Sequence, residues 1–184
     1  MSVAVNTAPH LFWITSRAAG TAALFLSSAS VTIGLIMGMR IVKGRGPDLR
    51  AVHEALSLAT IAALLVHGLS LLGDKFMHPS LVDIAVPFAT GYKTGWTSLG
   101  IIATYALILL GPSYYVRRLI GQERWRKWHR FTAVAWIAGI VHAFGEGTDA
   151  GSPWFVLMVA LTTIPAAMLL VLRNFQGSAA RPLT

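Results

Sequence analysis

Long runs without a charged residue alternate with short segments that hold nearly every Lys, Arg, Asp and Glu of this 184-residue chain. Only 12% of its residues are charged, whereas soluble domains carry about 25%. A helix that crosses a bilayer needs roughly 20 predominantly apolar residues, and it satisfies its own backbone groups in lipid. The pattern therefore predicts an all-α fold, a polytopic bundle of about five transmembrane helices that forms a single domain over residues 1–184.

The predicted spans cover about 12–39, 51–72, 96–115, 125–145 and 153–172. The first contains one charge, Arg17, and a pair of glycines, Gly34 and Gly38, which we interpret as close helix packing. The fourth has to begin near Trp125, because the charge-free stretch 131–145 is too short to cross a bilayer alone. Its basic first turns would snorkel to the headgroups.

Basic residues collect in alternate connections, which sets the expected orientation. They lie between the first and second spans, between the third and fourth, and after the fifth: Arg40, Lys43, Arg45, Arg50, Arg117, Arg118, Arg124, Arg126, Lys127, Arg130, Arg173 and Arg181. By the positive-inside rule this predicts a multi-pass cell-membrane protein with its N-terminus outside and its C-terminus in the cytoplasm. The polar start has no basic n-region, so we expect no cleavable signal peptide.

Charge and cysteine usage exclude several classes of function. The net charge of +8 belongs to the flanks of apolar spans, so we expect the lipid bilayer and no nucleic acid as a partner. The chain has no cysteine, which excludes disulfides, thiolate chemistry and cysteine-ligated iron–sulfur clusters.

Four of the six histidines fall inside the second and fourth predicted spans, where ionisable residues are costly and usually functional. His53 and His67 are fourteen residues apart, a rise of roughly 21 Å on a helix, and they share a face to within about 40°. His129 and His142 are thirteen apart, a rise of roughly 19.5 Å. The two spans run parallel, so the histidines form two pairs at two depths, His53 with His129 and His67 with His142.

Haem is the metal centre that suits such pairs, because a macrocycle supplies four bonds to iron and two neutral imidazoles complete the set. A bare zinc site would need three or four protein ligands. We therefore predict two haems b, with His53 and His129 as axial ligands at the cytoplasmic depth and His67 and His142 at the outer depth. The alternative is that each histidine only bonds a neighbour in the bundle.

One spacing fits imperfectly. Thirteen residues turn through about 220° on an ideal helix, so His129 and His142 should not share a face. Either the fourth span is distorted, or the two haems approach it from different sides.

The paired spacing, fourteen residues on one helix and thirteen on the next but one, resembles the transmembrane domain of the ferric reductase and NADPH oxidase family. The run WITSRAAGTAALFLSSASVTIGLIMG resembles that family's second helix, and VPFATGYKTGWTSLG and VHAFGEGTDAGSPW are similar to segments of small bacterial ferric-reductase-like membrane proteins. The resemblance covers roughly residues 12–172.

This resemblance implies transmembrane electron transfer, in at the inner haem and out from the outer haem to an outside acceptor such as ferric iron. It also implies that Arg17 pairs with a haem propionate; the alternative is an arginine that snorkels to the interface. The chain departs from the family in two respects. The family's first helix is missing, and so is the flavin and NAD(P)H domain, with no dinucleotide-binding glycine motif. A separate flavoprotein reductase, a quinol or a partner subunit must then supply electrons to this ferric-reductase-like oxidoreductase.

Two other functions stay open. One is a quinol-oxidising haem anchor for a partner reductase, as in the bacterial methionine-sulfoxide reductase system. The other is a non-redox metal or ion transporter whose histidines bind the cargo. His78, Glu146 and Asp149 lie in outer loops, where they either gather a ferric ion or are solvated loop residues, the interpretation we prefer. His10 has no assigned role.

Overall fold

The computed structural model describes residues 10–179 and the side chains of 10–175, and within that range every regular element is a helix. The α-helices are α1 Leu11–Gly38, α2 Gly46–Leu71, α3 Leu81–Ala85, α4 Thr94–Leu110, α5 Arg117–Ile120, α6 Gln122–His129, α7 Phe131–Glu146 and α8 Pro153–Ala179. A 3₁₀ turn, Pro112–Tyr114, extends α4. Four segments, α1, α2, α4 with this turn, and α8, are long and apolar enough to span a membrane. The predicted all-α bundle is therefore confirmed.

The predicted fourth span, 125–145, is not one helix, because the chain breaks between α6 and α7 at Arg130. In a regular helix the His129 carbonyl would accept the N–H of Ala133. Here the Thr132 hydroxyl donates to that carbonyl at 2.7 Å, and the Ala133 N–H turns to the Arg130 carbonyl at 3.2 Å. Threonine hydroxyls compete with backbone donors in this way and distort helices. The break leaves α7 with 16 residues, about 24 Å of rise.

The packing of the helices places α2 and α7 so that their histidines can meet. Helix α2 packs along α1, α4 packs along α7, and α8 covers another side of α1. A buried hydrophobic cluster joins α1 to α8 through Leu24, Phe155 and Val159. By contrast, α2 buries only Thr60 among its residues. Helix α1 is thus the centre of the bundle and α2 lies at its margin.

The polar face of α1 is buried. Ser16, Ser27, Ser28 and Ser30 are each at most 8% exposed, and each hydroxyl makes a hydrogen bond. Buried hydroxyls need partners to offset the loss of water. On this helix the partners of Ser16 and Ser30 include the histidines of α2, so the polar face serves the site described next.

Candidate functional site

The structure brings the two histidines of each predicted pair together. The ring centroids of His53 and His129 are 6.2 Å apart, and those of His67 and His142 are 6.4 Å apart. The rings within each pair are steeply inclined, at 83° and 73°. We refer below to the His53 end and the His67 end of the bundle. Helices α1, α4 and α8 begin at the His67 end, and α2 begins at the His53 end.

Two serines of α1 orient the two histidines of α2. The Nδ1–H of His67 donates to the Ser16 carbonyl at 2.8 Å, and the Nδ1–H of His53 donates to the Ser30 carbonyl at 2.9 Å. The serine hydroxyls lie beside the same nitrogens, at 3.0 and 3.1 Å. Ser16 and Ser30 are fourteen residues apart, as are His53 and His67. The two antiparallel helices therefore present their partners in matching register.

A glycine four residues after each acceptor makes this contact possible. A Cβ on Gly20 would lie 2.9 Å from Nδ1 of His67, and a Cβ on Gly34 would lie 3.0 Å from Cε1 of His53. In an α-helix the carbonyl of residue i points toward residue i+4, so a side chain there would keep the ring away. The interpretation of Gly34 and Gly38 as a packing pair is corrected accordingly: a Cβ on Gly38 would have no neighbour within 4 Å among the described residues.

His142 on α7 is held in the same way by α4. Its Nδ1–H donates to the carbonyl of Trp96 at 2.8 Å. Four residues later, a Cβ on Gly100 would lie 2.6 Å from Cε1 of His142. Three of the four histidines thus share one arrangement, an acceptor carbonyl followed after four residues by a glycine.

His129 differs, since it reaches the end of α4 instead of its side. Its Nδ1 lies 3.4 Å from the carbonyl of Leu110, the last residue of α4. Carbonyls in the last turn of a helix lack backbone partners, so no glycine is needed to expose this one. The Ser113 hydroxyl donates to the same carbonyl at 2.6 Å, and the Trp125 indole stacks on the His129 ring with centroids 5.1 Å apart.

These contacts fix which ring nitrogen is available. Each Nδ1–H is directed to a backbone carbonyl, and none of the four Nε2 atoms makes a hydrogen bond within residues 10–179. Histidines that bind metals typically donate their other N–H to such an acceptor, which fixes the tautomer and raises ligand basicity. The site therefore offers two pairs of imidazoles with free Nε2 lone pairs.

The ring separation can be compared with that expected for a metal between two imidazoles. A metal–imidazole bond is about 2.0–2.1 Å, and a nitrogen lies about 1.15 Å from the centroid of a ring with bonds of about 1.35 Å. Two coaxial ligands then place their centroids about 6.3–6.5 Å apart. The observed centroid distances, 6.2 and 6.4 Å, lie within about 0.1 Å of this range. Among the described side chains, those of residues 10–175, no group of three or more His, Asp or Glu could hold a bare ion, and each histidine pair offers two imidazole donors.

A buried layer separates the two pairs. Thr60 stands seven residues from both His53 and His67 on α2, and Trp136 stands between His129 and His142 on α7. Both are nearly inaccessible, at 4% and 3% exposure. The Trp136 indole N–H donates to the Ser28 hydroxyl at 3.0 Å, which ties α7 to α1 between the two pairs.

Arg17 and the acidic loop residues lie at the His67 end. The Arg17 guanidinium forms an ion pair with Asp149 and lies over the Trp13 ring, 4.2 Å from its centroid. The preferred interpretation of Asp149 as a solvated loop residue is therefore wrong. Glu146 ends α7 with one carboxylate oxygen buried and unpartnered within the described part of the chain. The propionate role of Arg17 stays a prediction.

Sequence reasoning missed the acceptors and glycines around the histidines. The sequence does carry a signal for them: the pattern Ser-x₃-Gly occurs at 16–20 and again at 30–34, with the same fourteen-residue interval as the histidines of α2. His10 immediately precedes α1, and His78 lies in the connection before α3 with a positive φ of 45°. Neither approaches the histidine pairs through any hydrogen bond or ring contact within residues 10–179.

No protein-family model matches the chain, and neither a curated protein nor a solved structure matches it significantly.

Proposed function

We propose that the chain is a dihaem b-type membrane cytochrome that transfers electrons across the bilayer. One haem would be held by His53 and His129 and the other by His67 and His142. The observation that carries the proposal is the separation of 6.2 and 6.4 Å between the ring centroids, together with the four Nδ1–H groups that point to carbonyls. A haem held by such a pair of imidazoles would supply one-electron redox chemistry.

The residues of the chain have three tasks in this function. The carbonyls of α1 and α4 keep each imidazole in the tautomer whose Nε2 is free. The glycines let the rings lie against the neighbouring helices, so the histidines are positioned before any ligand binds. Helix α2 separates the two sites by a rise of roughly 21 Å. Electron transfer between them would therefore cross much of the hydrocarbon core, which is roughly 30 Å thick.

We further propose that α7 crosses the membrane in addition to the four long helices, which gives five crossings. We also propose that the His53 end lies in the cytoplasm. The basic residues of the α1–α2 and α4–α7 connections lie at that end, where the positive-inside rule favours them. Electrons would enter there from a separate flavoprotein, a quinol or a partner subunit. They would leave at the His67 end to an outside acceptor such as ferric iron.

A pyridine haemochrome assay on purified, monodisperse protein tests the proposal. We expect two non-covalent haems b per chain, since covalent attachment through CxxCH is impossible without cysteine. One haem or none would refute the proposal, and a colourless protein that binds a transition metal would favour the transporter. If a quinol analogue reduces the pure protein and the protein co-purifies with a reductase, the haem-anchor function is favoured.

The orientation is tested separately. Reporter fusions or impermeant labels placed near Lys43 and Arg124 should report a cytoplasmic location. An outside location for either would reverse the assignment of the inner and outer sites.

A further inference from the structure

The connection between α2 and α4 does not stay at the end of the bundle. Two hydrogen bonds join it to residues well inside α4. The Tyr105 hydroxyl donates to the Ala85 carbonyl at 2.6 Å, and the Phe88 N–H donates to the Ser98 hydroxyl at 2.7 Å. Since α4 begins at Thr94, the segment 80–88 must run alongside this helix toward the bilayer centre before it returns.

The depth follows from the helix geometry. Ser98 and Tyr105 lie about 6 and 16 Å along α4 from its first residue. A tyrosine side chain leans toward the helix N-terminus and reaches about 6 Å. The Ala85 carbonyl is therefore about 10 Å from the start of α4. Half of the hydrocarbon core is about 15 Å thick, so Ala85 lies well within one leaflet if α4 spans it.

Irregular backbone is tolerated at such a depth only where its polar groups are satisfied. The N–H of Ile84 donates to Ser80, that of Val86 to Val82, and that of Ala89 to Val86. Phe88 is bonded to Ser98, and Pro87 has no N–H. The segment thus meets the requirement at the positions where the chain turns back.

Four side chains of this segment are apolar and exposed. Leu81, Val82, Val86 and Phe88 are exposed by 61, 57, 47 and 69%. Between Phe76 and Tyr92 the ionisable side chains are His78, near the surface turn, Asp83 and Tyr92 itself. Asp83 is held by its capping box, in which its carboxylate accepts the N–H and the hydroxyl of Ser80.

We propose that residues 80–88 form a re-entrant segment whose exposed face is covered by the acyl chains of the leaflet at the His67 end. Helix α3 contacts both α2 and α4, so the segment lies against these two helices at the His67 end. The proposal requires that α4 spans the membrane and does not depend on haem.

Spin labels test the depth directly, because the cysteine-free chain allows single-cysteine variants without background. Leu81→Cys and Phe88→Cys would be labelled and reconstituted in vesicles of phosphatidylcholine and phosphatidylglycerol. Leu161→Cys, on an exposed part of α8 about 12 Å from its start, is the reference within the membrane. Thr148→Cys, in the exposed α7–α8 connection, is the reference in water.

We expect the labels at 81 and 88 to be reached by oxygen and protected from a water-soluble nickel chelate, as at 161. Nickel accessibility like that at 148 would overturn the proposal, because the segment would then face water. Protection from both oxygen and nickel would overturn it as well, because protein instead of acyl chains would then cover the segment. These readings leave the haem assay unaffected, so the two proposals fail independently.

A second variant tests the hydrogen bond that holds the segment down. In Tyr105→Phe the Ala85 carbonyl loses its donor, and the label at 88 should shift toward the nickel accessibility measured at 148. Tyr92→Phe is the matched control, because the Tyr92 hydroxyl makes no hydrogen bond within residues 10–179. An equal shift in both variants, or none in Tyr105→Phe, would contradict the assigned anchor.

Discussion

The His67–His142 pair and the His53–His129 pair have nearly equal ring separations, but the chain holds them differently. At the His67 end both rings lie against the sides of continuous helices, each with a glycine beside it and an Nδ1–carbonyl distance of 2.8 Å. At the His53 end one ring is held in this way. The other, His129, lies at a helix break, 3.4 Å from a terminal carbonyl and stacked on Trp125.

The difference shows how the bundle reconciles two helical intervals. Fourteen residues bring His53 and His67 back to within about 40° of one face, whereas thirteen would put His129 and His142 about 220° apart. The helix is interrupted at Arg130, between these two histidines, and this agrees with the first alternative offered by the sequence, a distorted span. The cost is that the orientation of His129 depends on a helix end and an aromatic neighbour.

Histidine replacement should have the largest effect. His67→Ala or His142→Ala should remove one haem and spare the other, and His53→Ala or His129→Ala should do the reverse, because each pair draws on its own depth. Electron flow across the membrane should stop in all four variants. Haem content and reduced spectra measure this. They are compared only in monodisperse variants, because the large void that a missing haem leaves loosens its surroundings.

The decisive comparison is between ends. If His67→Ala and His129→Ala abolish the same spectral signal and spare the same other one, the pairing is wrong.

A methyl group on the glycine beside a ring should come next in size. In Gly100→Ala the added Cβ would lie 2.6 Å from the His142 ring, and overpacking of this kind costs about 1–3 kcal/mol. We expect weaker haem retention at the His67 end alone, measured as the temperature at which each spectral component is lost. Gly68→Ala is the control, since its Cβ would meet nothing within 4 Å in the part of the chain that the structure describes. A comparable loss in this variant would show that the ring contact is not the cause.

Trp125→Leu probes the feature peculiar to the His53 end. Aromatic stacking contributes about 0.5–1.5 kcal/mol beyond the area it buries, so the spectral component of the His53 end should be lost at a lower temperature while that of the His67 end is unchanged. Trp128→Leu removes an exposed indole that packs on Phe131 rather than on a histidine. If Trp128→Leu lowers the temperature at which the component of the His53 end is lost as much as Trp125→Leu does, stacking on His129 is not what orients the ring.

The smallest effects are expected from the serine hydroxyls of α1, and they should be similar at the two ends of the bundle. Ser16→Ala and Ser30→Ala each remove a hydroxyl beside a histidine Nδ1 but keep the carbonyl acceptor. Each should cost about 0.5 kcal/mol at its own site, near the lower limit for a hydrogen bond. Ser27→Ala, whose hydroxyl bonds only to Leu24 of its own helix, should leave both haem components unchanged. A loss at one end several times that at the other would mean that α1 does not hold the two histidines alike.

Much of the fold could be predicted from hydropathy, since length and apolarity alone decide whether a helix can cross a bilayer. The predicted first span, 12–39, differs from α1 by one residue at each end. The second was predicted to begin at 51, but α2 begins at Gly46, because Pro47 is well suited to a helix start and charged first turns lie outside the apolar window. The two histidine pairs followed from the helical period and the parallel course of α2 and α7.

The remaining features depend on tertiary contacts that a period does not encode. The partner of Arg17, Asp149, is 132 residues away in the chain. The sequence around either residue therefore does not predict the ion pair. The break at Arg130 depends on one hydroxyl, that of Thr132, and threonine occurs in many unbroken helices. The position of residues 80–88 beside α4 depends on hydrogen bonds from Tyr105 and to Ser98. Nothing in the sequence distinguishes these two residues from the others of the predicted span.

The matched fourteen-residue intervals on α1 and α2 bear on how such a chain can change in length over evolution. A single residue inserted between Ser16 and Ser30 would rotate the first acceptor by about 100° and displace it by about 1.5 Å relative to the second, and both histidines of α2 could then no longer be served. An insertion between the two serines of α1 is therefore tolerated only together with a matching insertion between the two histidines of α2. Between α6 and α7 the break already absorbs a mismatch, so one residue more or less is accommodated there. We therefore expect relatives of this chain to keep the interval on α1 and α2 strictly, even where the residues between the histidines diverge, and to vary at the junction near Arg130.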